Sequence, residues 1–225
     1  MITLDWYDND VPLRLNHLPS FLTGARYSAV DGRIPSWIAL YDIDDTQTFQ
    51  HESYTRLRAN RSVREASLVK KLSVLDRRTY EHVYDSGESK LKSSLKPDDP
   101  TPFIVTCGVT LGDAEIQSWA SGIKEKVKTV KGWVRTRVFL CLDNLKTGMS
   151  VPDDPVSQVV PKYLILHGEF RILSWNTVTH KNTIEFVSKV HIQDNAVDVL
   201  LDVVDIRSWE LYRAYPCVAQ GNLPL

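Results

Sequence analysis

Residues 21–42 read FLTGARYSAVDGRIPSWIALYD, and residues 133–144 and 161–170 repeat that plan as WVRTRVFLCLDN and PKYLILHGEF. Each copy is a strand-like run, a connection carrying Asp with Gly or Pro, and a second strand-like run. In the first copy Phe21, Thr23, Ala25, Tyr27 and Ala29 alternate with Leu22, Gly24, Arg26 and Ser28, the period of two that gives a strand unlike faces. Asp31-Gly32-Arg33-Ile34-Pro35 is a turn, because Gly accepts positive φ and Pro presets its own. Trp37–Asp42 is expected to return beside the first run. A plan repeated about a hundred residues later predicts internal duplication, which constrains architecture more than any short motif does.

The flanking segments extend the plan. Asp44, Asp45 and Thr46 offer N-caps to a helical stretch over Thr46–Asn60, anchored by Phe49, Tyr54 and Leu57. Ser62-Val63-Arg64-Glu65 has capping-box spacing, predicting a further helix to about Ser73, and Leu75–Tyr84 reads as a half-exposed strand. Phe103–Leu111 is an apolar strand. Gly112-Asp113 is expected to cap a helix over Ala114 to about Val130, with Ile116, Trp119, Ile123, Val127 and Val130 three or four residues apart. Strands over Trp133–Asp143 and Lys162–Phe170 flank a polar loop at 144–160. A weak helix around Asn182–Val197 and a strand over Val203–Tyr212 complete the reading.

The expected class is therefore α+β, with two ferredoxin-like βαββαβ halves, the first lacking or shortening its opening strand. Residues 1–85 form the N-terminal half. Residues 86–101, rich in Ser, Lys and Pro, form a linker. Residues 102–225 form the C-terminal half with a surface tail. The absent opening strand implies either a trimmed half, its opening strand reduced to Met1–Leu4, or a start upstream of Met1.

Composition limits the function classes. The 225 residues carry a net charge of −1, 43% hydrophobic and 24% charged residues, so no overall field favours nucleic acid. No apolar run reaches the roughly 20 residues of a membrane span, and MITLDWYDND has no basic, apolar leader, so a cytoplasmic location is expected. Cys107, Cys141 and Cys217 make an odd count without CxxC spacing, which favours neither a disulfide framework nor zinc. HExxH, GxGxxG, Walker and GxSxG patterns are absent, so no metal and no nucleotide cofactor is expected.

Trp6-Tyr7-Asp8-Asn9-Asp10-Val11-Pro12-Leu13-Arg14-Leu15, Arg26-Tyr27 followed by Asp31-Gly32, and Trp209–Pro216 together resemble a fungal group of tandem EthD-like proteins of the dimeric α+β barrel superfamily. That resemblance implies two four-stranded sheets closing into one barrel within a single chain, with helices covering the sheets. Single-unit relatives include decarboxylases, anthrone oxygenases, chlorite dismutases and isomerases. The group's helical motif usually runs Trp-Tyr-Asn-Asn-Glu-His-x-Pro; here it is one residue shorter and has no His, with Asp10 in the Glu/His space.

Three constellations are candidates. Asp10, with Tyr7 and Arg14 beside Trp6, is either a proton-transfer carboxylate or half of an exposed ion pair at i,i+4 spacing. Tyr27, Trp37 and Tyr41 either line a substrate pocket, the two tyrosines donating to a carbonyl or phenolate oxygen, or serve as core aromatics. His167 and Glu169 share one face of a strand with Tyr163 and Ile165, and His titrates near neutrality. His51, His82, His180 and His191 read as solvated. The chain is thus expected to be a cofactor-independent lyase, isomerase or cyclase acting on a hydrophobic, oxygenated small molecule of polyketide or aromatic type. Its catalytic residues would be Asp10, His167 and Glu169, and its substrate contacts Trp6, Tyr7, Arg14, Tyr27, Trp37, Tyr41 and Tyr163. The alternative is a non-catalytic binding or scaffold protein; a haem enzyme using His191 is a third reading. A small molecule is the expected partner, in a monomer or homodimer, with neither nucleic acid nor membrane.

Overall fold

The period-two runs fold as seven strands. The computed structural model describes residues 18–87, 100–129, 133–169 and 202–215. In chain order the strands are β1 Phe21–Ala29, β2 Trp37–Ile43, β3 Leu75–Asp85, β4 Phe103–Thr110, β5 Trp133–Thr147, β6 Tyr163–Glu169 and β7 Asp202–Tyr215. Among the described residues three α-helices accompany them: α1 Glu52–Ala59, α2 Val63–Val69 and α3 Ile116–Val127. Among the described residues no helix is long and apolar enough to cross a membrane. The predicted segment Asn182–Val197 and the linker residues 88–99 lie outside the described residues, as do Trp6, Tyr7, Asp10 and Arg14.

The strands form one antiparallel sheet in the order β2-β1-β7-β4-β6-β5-β3. The stretch β7-β4-β6-β5 is the arrangement of a ferredoxin-like unit, with its first and third strands central. Two seams join early and late parts of the chain: β1 pairs with β7, and β3 pairs with β5. β2 and β3 are the edges. The sheet curls so far that Ile38 and Leu40 of β2 pack in one cluster with Phe139 of β5, Leu166 of β6 and Ile104 of β4. These side chains define a concave face that also carries Ala25, Tyr27, Trp209 and Leu211. The architecture is the expected α+β class, a curled sheet of the ferredoxin-like barrel kind.

The helices cover the opposite, convex face. α3 lays Ile116, Ala120 and Ile123 on Val105, Cys107, Val109, Val138 and Ile165. α1 places Tyr54 and Leu57 against Phe21, Tyr41 and Ile43. Ser62 Oγ caps α2 by accepting from Glu65 N at 3.1 Å, as its spacing predicted. The stretch expected as one helix over Thr46–Asn60 is instead a 3-10 turn, Thr46–Phe49, followed by α1; Asp45 and His51 each accept from a backbone N–H two residues on, so each opens its own segment. α3 begins at Ile116 rather than Ala114 and has no side-chain cap, because Asp113 is engaged by Tyr163 and Lys162.

β5 is longer than the sequence suggested. It continues to Thr147, because Leu75–Thr79 of β3 pair with residues 143–147, which the polar composition had assigned mostly to a loop. At its end Gly148 takes φ 136° and lies so close to Ser73 that an added Cβ would stand 2.3 Å from its carbonyl oxygen. Gly122, exposed on α3, has nothing within 4 Å of that position. Gly148→Ala is therefore expected to lower stability by more than about 1 kcal/mol, whereas Gly122→Ala raises it by about 1 kcal/mol. Urea midpoints of the two variants check the opposite signs.

Candidate functional site

Register decides which face each candidate residue uses. Tyr27 lies opposite Ile38 and Leu211, on the concave face. Tyr41 lies opposite Gly24, and Trp37 opposite Ser28, so both belong to the other face. Tyr27 and Tyr41 therefore do not converge on one group, contrary to the expectation. A bulge between Phe21 and Thr23 also moves Phe21 away from Tyr27's face, where it meets Tyr41 at a ring distance of 5.6 Å. Trp37 instead takes the Arg26 guanidinium over its ring at 4.1 Å and touches Tyr212 edge-on.

Tyr27 is fully buried, and its hydroxyl donates to the Thr101 carbonyl at 3.0 Å. Burial pushes its phenol well above the ordinary value, so it stays protonated and holds the start of β4 rather than moving protons. Tyr27→Phe is expected to cost about 1–3 kcal/mol in unfolding free energy, measurable by thermal denaturation.

On the convex face, His167 and Tyr163 of β6 lie beneath α3. Val105 of β4 pairs with His167 on one side and Ser208 of β7 on the other. Thr136 of β5 faces His167 across the remaining ladder, its Oγ1 lying 2.8 Å from His167 Nδ1. Trp133 Nε1 donates to the same Oγ1 at 3.0 Å. An indole N–H only donates, so Thr136 Oγ1 accepts from Trp133; toward His167 the same hydroxyl donates to Nδ1 or accepts from it according to the imidazole tautomer. The Ser208 hydroxyl is buried and has no hydrogen-bond partner. Ser208 and His167 flank Val105 on neighbouring strands, so their backbones stand about 10 Å apart. Val105, Ile123, Ile206, Trp119 and Trp133 supply an apolar, aromatic surround.

Nearby, Tyr163 donates to Asp113, and Lys162 Nζ reaches the same carboxylate at 2.7 Å. Burial and that hydrogen bond push the Tyr163 phenol up to about 12. Cys107, on the same face, is likewise raised to about 12 by burial, the inert thiol its apolar run predicted. Glu169 stands at the end of β6, its backbone opposite Phe103 and Trp133; its side chain lies outside the described residues.

The concave face holds a different polar set. Arg137 of β5 reaches Asp42 of β2 at 3.3 Å, and Thr23 Oγ1 donates to the other Asp42 oxygen at 2.6 Å. Arg135 and Asp85 form a two-pronged pair beside them. Phe139 lies between Arg137 and His82, whose ring is 5.4 Å away. His82 is exposed, as expected, and its ring also contacts Phe139. None of Asp42, Thr136, Arg137 or Ser208 was singled out from the sequence. The signal for two of them was present: Arg135, Arg137 and Phe139 alternate with Val134, Thr136 and Val138, placing charge on one face of an otherwise buried strand.

At the opposite end, the turn at 31–35 is fastened across β7. Buried Arg207 donates to both Asp31 oxygens and to the carbonyls of Arg33 and Pro35, while Arg33 reaches Asp205 at 2.6 Å. Burial would raise the Asp31 carboxyl, but hydrogen bonds from Arg207 and from the N–H groups of Arg33 and Ser208 outweigh it and hold it below its ordinary 3.8. A folded value below the unfolded one adds stability that is complete above the unfolded value and is lost as pH falls through the folded one. Wild-type stability is therefore expected to fall as pH drops below 3.8. Asp31→Asn flattens that slope and costs about 2 kcal/mol or more at neutral pH; denaturation midpoints from pH 7 to 2 read both effects.

No known protein-family profile matches the sequence, and no curated protein matches it. Among solved structures the chain is similar to an anthrone oxidase-like protein at 9% identity and a TM-score of 0.52, over 98% of this chain and 90% of that one. It is also similar to a provisionally assigned monooxygenase from Fusobacterium nucleatum subsp. nucleatum, at 8% identity and 0.45, covering 95% and 84%. A major regulator of staphylococcal pathogenesis aligns at 9% and 0.42, covering 91% and 92%. At these identities the first likeness speaks for the fold alone, and the other two scores are too low to bear on it.

Proposed function

We propose that the protein is a small-molecule enzyme in which His167, beneath α3, takes part in cofactor-independent proton transfer on a hydrophobic, oxygen-bearing substrate. The observation that carries this reading is the hydrogen-bonded chain linking Trp133, Thr136 and His167 Nδ1, in an apolar surround that also contains the unpaired Ser208 hydroxyl. A hydroxyl without a partner in a buried site costs free energy unless a bound group satisfies it. An imidazole N–H is a donor suited to a ketone oxygen that becomes an enolate.

Glu169, two residues along β6 at about 7 Å, is the proposed base. It takes a proton from the carbon beside the carbonyl as His167 stabilises the oxygen, and returning that proton to a different carbon completes an isomerisation. Asp10, in the shortened Trp6–Pro12 motif, is the other carboxylate proposed for this role. The aromatic surround and the likeness to an anthrone oxidase-like protein support a polycyclic aromatic ketone as the substrate class.

Anthrone in D2O is the direct test, with loss of its methylene proton signal followed by NMR. The wild-type protein is expected to accelerate exchange. His167→Gln should slow the catalysed rate by about a hundredfold or more, and Thr136→Val by a smaller factor, with circular dichroism unchanged. Exchange at the wild-type rate in folded His167→Gln would falsify the assignment. Binding of anthrone without any accelerated exchange would favour the alternative, a binding barrel with a degenerate site.

A further inference from the structure

Arg137 stands out among the arginines of the concave face by what its donors lack. Arg207 spends its donors on a carboxylate and two carbonyls, and Arg78 grips Asp76 through two nitrogens. Arg135 holds Asp85 the same way. Arg137 makes a single long contact, from Nη1 to Asp42 at 3.3 Å, and its Nε is buried with no hydrogen-bond partner. Its Nε–H and Nη2–H form one edge of the guanidinium, parallel donors spaced to fit the two oxygens of a carboxylate.

The surroundings select the rest of such a ligand. The Arg137 guanidinium lies 5.4 Å from the centre of the Phe139 ring, and the His82 ring is also 5.4 Å from it. Leu40, Ile38, Leu166 and Tyr27 continue the apolar surface inward. The Arg137 side chain is 11% exposed, while Asp42 beside it is 37% exposed, so the buried edge adjoins a solvent-reachable rim. Asp42 is already committed to Thr23 at 2.6 Å, which keeps its charge on the Nη1 side.

We infer that the concave face binds the carboxylate of an aromatic organic acid through the Nε/Nη2 edge of Arg137, with the ring of the ligand against Phe139 and His82. This site is separate from the proposed proton-transfer site: Thr136 and Arg137 are consecutive on β5 and point to opposite faces. The ligand class is an aryl carboxylate, and the binding is a recognition step without bond making.

The probe is 1-naphthoate, with neutral 1-naphthalenemethanol as its uncharged counterpart, both titrated by calorimetry against the full chain. 1-Naphthoate is expected to bind, and to bind at least about tenfold more tightly than the alcohol. Arg137→Gln should abolish that preference, and Arg137→Lys, which keeps the charge but loses the paired N–H edge, should remove most of it. His167→Gln should leave naphthoate affinity unchanged, which separates this site from the proton-transfer reading. Equal affinity for acid and alcohol, unaltered naphthoate binding in Arg137→Lys, or no naphthoate binding at millimolar concentration would overturn the inference. Should Arg137→Gln fail to fold, the lysine variant alone decides.

Discussion

Pairing between distant strands governs everything else in this molecule. β1 joins β7 and β3 joins β5, across separations of more than fifty residues, and these seams bend the sheet until the β2 edge meets side chains of β5. Without them Asp42 and Arg137 would belong to different surfaces, and Phe139 would have no contact with Leu40. Closing such long loops costs entropy that rises only slowly with length, and burial on both sheet faces offsets it. The concave cluster around Tyr27 and Trp209 and the convex cluster under α3 are the two halves of that gain.

A sheet buried on both faces gives the protein two chemical environments separated by one backbone. β5 shows the division within six residues. Thr136 orients His167 on the helix-covered side, while Arg135, Arg137 and Phe139 look into the curl. On the convex side Trp133 and Thr136 hold His167 in a hydrogen-bonded chain among apolar side chains. The concave side concentrates charge, with two Arg–Asp pairs near one end and the Arg207–Asp31 clasp near the other. Low dielectric magnifies both arrangements, since a buried polar group without a partner is costly and an oriented one is strong.

Much of the scaffold could be read directly from residue patterns. The alternation over 21–29, the Asp31–Pro35 turn and the return over 37–43 appear as a hairpin, and Ser62 caps its helix. The burial of Tyr27 and the inert burial of Cys107 were also legible. Less of the site was. Strand alternation assigned Phe21 to Tyr27's face, but a bulge between Phe21 and Thr23 reverses that phase. The end of β5 looked like a loop because its partner, Leu75–Thr79, lies some seventy residues earlier. Asp113 looked like a cap until Tyr163 and Lys162, far along the chain, claimed it.

The amino-acid sequence by itself determined the strands, their two unlike faces and the α+β class. Local sterics and side-chain alternation suffice for those, because they act over a few residues. Only the tertiary structure decided which face of each strand became concave, that Tyr27 and Tyr41 point apart, and that Arg137 meets Asp42 while His167 meets Thr136. The reason is that curl and cross-seam register are properties of the whole sheet: one bulge or one shifted partner exchanges inside for outside, and no local pattern records which partner will be there.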